Sequence, residues 1–238
     1  MTIRISQTKL LIMLICLLLV LNLSIFSTMA WMTDTSKVTN TFTVGKVDIQ
    51  LEETDVDEDG KKDENEYHLI PGKEYVKDPK LTVLKDSEES YLRIIMTVSG
   101  WDAVKEVMKD NDIDNFFAFL GGWDDKEWRY IKLTEDPNDN TASFEFRYKK
   151  PVSGFDKDGN GIDVPLPELF TKLTVPGSLT MEDLKKLSDA GFKMVLEGHA
   201  IQSAGFIDAK DANGDLVKPE DAEESAWAAF EEEEKNEE

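Results

Sequence analysis

The chain of 238 residues has a single cysteine, Cys16, and only two histidines, His68 and His199. Cys16 lies in an apolar run near the N-terminus, so no disulfide can staple the rest of the chain. A His-Glu-x-x-His pair, the spacing that puts two zinc ligands on one helix face, is missing. So are a Gly-x-Ser-x-Gly elbow and a phosphate-cradling glycine loop. No catalytic residue is assigned on these grounds. His68 and His199 read as ordinary strand residues, and nothing in their spacing asks for a zinc site between them. Basic residues are also scarce: 27 against 49 acidic ones, a formal charge of −22. Such a surface repels nucleic acid and anionic membrane and attracts cations, so no nucleic-acid partner is expected. Without disulfides, stability has to come from a core, from bound ions or from assembly.

What is present begins with an export signal. Arg4 and Lys9 form a short basic region, Leu10 to Leu21 an unbroken apolar run, and Thr28 and Ala30 the small residues a signal peptidase reads. Cleavage is expected between Ala30 and Trp31. Extended through Phe26, the run approaches the ~20 residues of a membrane-spanning helix. Asn22, Ser24, Ser27 and Thr28 weaken that end, which favours a cleaved signal over an anchor. Cys16 follows Ile15 instead of a small residue, which disfavours a lipoprotein. The expectation is a secreted protein that touches the membrane only through its signal, before the peptidase cuts.

The remainder reads as mostly β with helical inserts. Tyr91 to Val98 is rich in β-branched residues, as a central strand is. Leu81–Leu84, Trp128–Leu133, Ser143–Tyr148, Leu169–Val175, Phe192–Gln202 and, more briefly, Tyr67–Ile70 are further strand candidates. Trp101, Val104 and Met108 have helical spacing. Thr180 with Asp183 resembles a capping box for a helix over Met181–Leu187. A short helix over Ala222–Phe230 is expected, followed by a disordered acidic tail at 231–238. Residues 31–230 would then be one domain. Near the mature terminus Thr39, Thr41, Phe42, Val44, Val47 and Ile49 suggest an extended segment able to add to a sheet. It could serve its own sheet or a neighbour's. Phe116, Phe117, Phe119, Trp123 and Trp128 fit core packing better than a sugar-binding platform.

Two acidic loops carry a calcium-like spacing. Asp55, Asp57, Asp59, Gly60, Asp63 and Glu66 fall at positions one, three, five, six, nine and twelve of a twelve-residue calcium loop. The carbonyl of Lys61 would supply position seven, and Glu66 would close the site with both oxygens. Lys62 replaces the usual apolar residue, and the flanks read as strands. The second loop holds Asp156, Asp158 and Asn160, with Gly161 and the Ile162 carbonyl, but Glu168 comes one place too late. Calcium at both loops is the expectation. A solvated acidic turn is the alternative, because turns also use Asp, Asn and Gly.

Several blocks resemble the camelysin and TasA-type proteins of Gram-positive bacteria. They are Ala30-Trp-Met-Thr-Asp-Thr with Val38-Thr-Asn-Thr-Phe-Thr-Val-Gly-Lys-Val-Asp-Ile, then Pro71-Gly-Lys, and Lys77-Asp-Pro-Lys-Leu-Thr-Val. Tyr91-Leu-Arg-Ile, Ala200-Ile-Gln-Ser-Ala-Gly-Phe and Ala226-Trp-Ala-Ala-Phe come next, in order, and only about 101–167 is unmatched. The resemblance implies a jelly-roll-like antiparallel β-sandwich with short peripheral helices, exported through a dedicated signal peptidase to the cell surface or biofilm matrix. It implies partnership with itself or with related matrix subunits, some members forming fibres by N-terminal donor-strand exchange. It also carries a rival, since camelysin is described as a metallopeptidase. A monomeric surface binding module is a third reading.

Overall fold

The structure is a computed structural model that describes residues 46–56, 67–108, 116–117, 119–210 and 214–237. They fall in one compact unit, Gly45–Glu238. Its central wall is a four-stranded antiparallel sheet built from β4 (Ser90–Ser99), β6 (Trp128–Asp136), β7 (Thr141–Tyr148) and β10 (Lys193–Gln202). The order is β10-β4-β7-β6. The period-two alternation of β4 sends Leu92, Ile94, Met96 and Val98 inward, each almost fully buried, and Tyr91, Arg93, Ile95 and Thr97 to the other face. Register makes the inner face continuous: Ile94 lies opposite Phe146 and Gly198, and Met96 opposite Phe144 and Leu196. A bulge between Tyr130 and Lys132 interrupts the β6 edge, a device that discourages pairing there.

Two three-stranded antiparallel sheets complete the sandwich. One orders β1 (Ile49–Glu52), β3 (Lys80–Val83) and β8 (Val164–Pro165) as β1-β3-β8. The other orders β2 (Glu74–Val76), β9 (Lys172–Thr174) and β5 (Leu120–Gly121) as β2-β9-β5. Leu81 and Val83 of β3 are wholly buried against the inner face of the wall. The approach is so close that a Cβ on Gly198 would come within 2.7 Å of Leu81 Cδ1. Strands β1 to β4 and β7 to β10 change sheet at nearly every step, as in the expected jelly-roll-like arrangement.

Among the described residues three helices sit at the periphery: α1 (Trp101–Met108), α2 (Met181–Asp189) and α3 (Pro219–Glu237). The β6–β7 turn starts α1, because Asn140 accepts the Trp101 N–H on its carbonyl and the Asp102 N–H on Oδ1. Asn140 has φ 53°, a conformation asparagine adopts more readily than most residues. The capping box at Thr180 and Asp183 is present in both directions and starts α2. The aromatic cluster is core. Phe116 stacks on Phe144 at 4.8 Å, Trp101 meets both edge-on, and Phe116, Phe119 and Trp128 are buried. Those three rings are closed to a sugar.

Some sequence expectations differ from the structure. Residues 67–70 are not a strand; their chain is pinned by side chains instead. Buried Leu169 and Phe170 belong to the connection before β9, which shortens that strand to three residues. Helix α3 runs on to Glu237 through the stretch expected to be a disordered tail. It starts at Pro219, three residues before the expected Ala222.

Phe144 ties the wall to α1 and to the aromatic cluster, and its side chain is fully buried. Phe144→Ala is expected to lower unfolding stability by about 3–5 kcal/mol through lost transfer energy and the cavity left behind. Urea unfolding with an unchanged slope would register this as a lower midpoint.

Candidate functional site

A groove of about 1050 Å³ opens between β1, β10, α2 and the chain at 67–69. It is about three times the volume of the shallow pocket beside Arg93, Glu145 and Glu231, which is about 330 Å³. Its position follows from topology. Among the described residues β1 is the outermost strand of its sheet and β10 the outermost strand of the wall. Two stacked sheets that end side by side leave a trough along their margins. Gly198 narrows the gap between the sheets at one point by having no side chain.

The floor is apolar, made by Leu51 of β1, Leu173 of β9 and Leu196 of β10. Leu184 and Leu187, spaced to share one face of α2, turn their buried side chains toward it. Phe192 and Met194 continue this surface into β10. Met181 at the start of α2 is 67% exposed on the rim, a large apolar side chain with little cover. Lys185, Ser188 and Lys193 make the rim polar.

The opposite wall is held by hydrogen bonds in place of a strand. Tyr67 Oη donates to the Val76 carbonyl at 2.9 Å, and the Tyr75 hydroxyl donates to the carbonyl of His68. The two rings meet edge-on at 5.8 Å. His68 is thereby carried into the groove wall instead of into a strand. Beside it Lys77 Nζ donates to both oxygens of Glu53 at 2.8 and 2.9 Å, with side chains only 7% and 12% exposed. The ammonium also lies 5.6 Å from the centre of the Tyr67 ring. A desolvated, bidentate ion pair in an apolar trough is a fixed polar mark on the wall.

The residues singled out in the sequence are distributed unevenly. Ala30, Trp31, Thr39, Thr41, Phe42 and Val44 lie outside the described residues. Val47 and Ile49, taken as the end of the assembly strand, belong to the protein's own sandwich. Ile49 pairs with Val83, while the backbone of Lys46 and Asp48 accepts from Glu88 and Leu84.

Of the first acidic loop only Asp55 is described; Asp57, Asp59, Lys61, Asp63 and Glu66 lie outside. The second loop is a tight turn closed on itself. Asp156 Oδ1 accepts the N–H groups of Asp158 and Asn160 at 2.9 and 2.8 Å, and the Asn160 amide donates to both Asp156 oxygens. These bonds, the Asn160 side chain foremost, hold the exposed Asp156 carboxyl below the usual carboxylate range. Ile162 donates its N–H to Gly154. Asp163 is drawn away to accept from the Lys85 N–H. Among the described residues no three acidic or histidine side chains converge as a metal-holding group. These are the hydrogen bonds of an Asx-type turn, centred on the leading carboxylate of the loop.

His199 is on β10, as a strand residue, but it is engaged: its Nδ1 accepts from Arg93 Nε at 3.1 Å. The groove itself was not anticipated from the sequence. Its only local signal was the pairing of an apolar helix face, Leu184 and Leu187, with an apolar strand, Met194 and Leu196.

Comparison of the chain with protein-family models, with curated proteins and with solved structures finds no significant match.

The ion pair in the groove wall gives a direct test of how the wall is built. Lys77→Met leaves Glu53 buried beside an apolar chain and is expected to cost about 3–5 kcal/mol. Adding Glu53→Leu should recover most of that loss. Equilibrium urea unfolding of the two single variants and the double variant measures the coupling.

Proposed function

We propose that the protein is a secreted structural subunit of the cell surface or extracellular matrix that links to further copies of itself. In this reading the signal is removed between Ala30 and Trp31, and the freed segment up to Val44 is taken up by the groove of the next copy as an added strand. The observation that carries the reading is the groove: an apolar trough along the outer edge of β10, a ten-residue strand at the margin of the wall. An edge of this kind offers main-chain groups for pairing, and the trough offers room for alternate side chains. Phe42 and Val44 alternate with Thr41 and Thr43, a pattern that suits such a surface. Head-to-tail uptake does not close on itself and so gives a filament. Before cleavage the signal tethers the same segment, which makes cleavage the switch for assembly. Calcium belongs to the proposal at the first loop, where Asp55, Asp57, Asp59, the Lys61 carbonyl, Asp63 and Glu66 keep the spacing. It would offset the mutual repulsion of these carboxylates.

Electron microscopy of residues 31–238 with Trp31 as the first residue tests the assembly. Filaments are expected from this chain and not from one carrying a bulky extension before Trp31. Met181→Glu, at the exposed rim, should reduce filaments without unfolding the domain. Monodisperse particles in all conditions would sink the assembly reading and send attention to casein cleavage and glycan binding. Titration calorimetry with calcium checks the metal separately. Heat is expected from the same chain, lost in Asp55→Ala and retained in Asp156→Ala.

A further inference from the structure

The outer face of the wall carries a row of cationic and imidazole side chains that crosses all four strands. His199 of β10 lies opposite Arg93 of β4, Arg93 opposite Arg147 of β7, and Arg147 opposite Arg129 of β6. Helix α3 lies over this row and answers it charge for charge. Arg129 Nη2 donates to Glu223 at 2.8 Å, Arg147 Nη1 to Glu224 at 2.7 Å, and Arg93 Nη1 to Glu231 at 3.2 Å. The Arg93 guanidinium stands 4.5 Å from the centre of the Trp227 ring and 4.9 Å from that of Phe230, so the helix adds an aromatic anchor to its carboxylates.

Three features make this a docked element instead of a part of the core. The apolar cluster beneath α3, centred on Tyr91, Ala226 and Trp227, is separate from the main core. The row also has a partner of its own in the sheet, because Glu145 accepts from Arg147 Nε at 2.6 Å and pairs with Lys132 at 3.4 Å and Arg93 at 3.8 Å. Lifting α3 therefore still leaves Arg93 and Arg147 beside an anion, while Arg129 gives up Glu223. Finally, the seam is imperfectly satisfied. Tyr91 Oη and Trp227 Nε1 are buried there without a hydrogen-bond partner among the described residues, a cost that water would relieve on release.

We propose that this face is a recognition surface for an acidic helix bearing a Trp–Phe anchor, occupied in the free chain by its own α3, and that the α3 of a second copy can take its place. The chemistry of the occupant is displayed by the chain itself: carboxylates at the spacing of Glu223, Glu224 and Glu231, with Trp227 between them. Reciprocal exchange of α3 would join two copies through a contact independent of the groove.

The probe is a fluorescent peptide of residues 219–237, followed by anisotropy on the chain from Trp31 to Glu238. Weak binding is expected, lost near 1 M NaCl, where ion pairs are screened, and lost with a Trp227→Ala peptide. A chain carrying Glu223→Gln, Glu224→Gln and Glu231→Gln holds its own α3 less well and should bind the wild-type peptide at least about tenfold tighter, since the open fraction rises. No binding by either chain, or equal binding by both, overturns the proposal. Native-state hydrogen exchange supplies a readout that needs no variant. Amides of α3 should exchange faster than those of β4 and β7; equal protection of helix and sheet would also overturn it.

Discussion

The four-stranded sheet has to be covered on both faces, and the two covers are made of different chemistry. On the inner face, Ile94, Met96, Phe144 and Phe146 form an apolar layer that β3 closes. On the outer face, Arg93 and Arg147 are buried to 4% and 3% exposure, and only matched carboxylates and aromatic rings make that tolerable. Strand alternation dictates the pairing of these two faces. Every inward apolar residue of β4 and β7 is followed by an outward one, so the core and the arginine row are consequences of one pleat. Slipping the register by one residue would place both guanidiniums in the apolar layer, which fixes the register strongly.

The inner cover determines where the groove is. Because β3 packs over the middle of the wall, β1 and β10 finish at one margin, and α2 flanks them without filling the space. With its only cysteine in the expected signal, the domain has no disulfide to close that margin, and its other long edge, β6, is broken by a bulge. Among the described residues the two edges of the wall are thus unequal: one is blunted, the other runs ten residues along a trough.

What the sequence disclosed depends on the range of the interactions concerned. β4, β7 and β10 were legible because their alternation is local, and α2 because Thr180 and Asp183 announce it within a single turn. Residues 67–70 misled because Tyr67 and Ile70 have strand-like composition. Their backbone is instead held by the Tyr67 and Tyr75 hydroxyls, contacts that composition does not reveal. The second acidic loop was read through spacing alone. Folded, Asp156 accepts the N–H groups of its own turn, contacts that motif spacing does not reveal. The Lys77–Glu53 pair was out of reach because it joins the ends of strands in two different sheets, and the row from His199 to Arg129 because it depends on register between strands distant in the chain.

The same row explains why α3 outlasts its expected end. Seen along the chain, Glu231 and the glutamates after it look like a self-repelling tail. Seen across the sheet, Glu231 is one of three helix carboxylates facing guanidiniums, and Phe230 stacks on His199 at 5.2 Å. Docking of the first turns fixes the helix axis, and elongation from a formed helix is far less costly than nucleation. The remaining residues can then continue the helix despite their charge. In a chain of net charge −22, placing three carboxylates against a cationic row also removes part of the repulsion that opposes compaction. The acidic helix and the arginine row therefore complement each other: without the helix the row keeps only Glu145 to balance it, and without the row the helix has nothing to hold its charges in place.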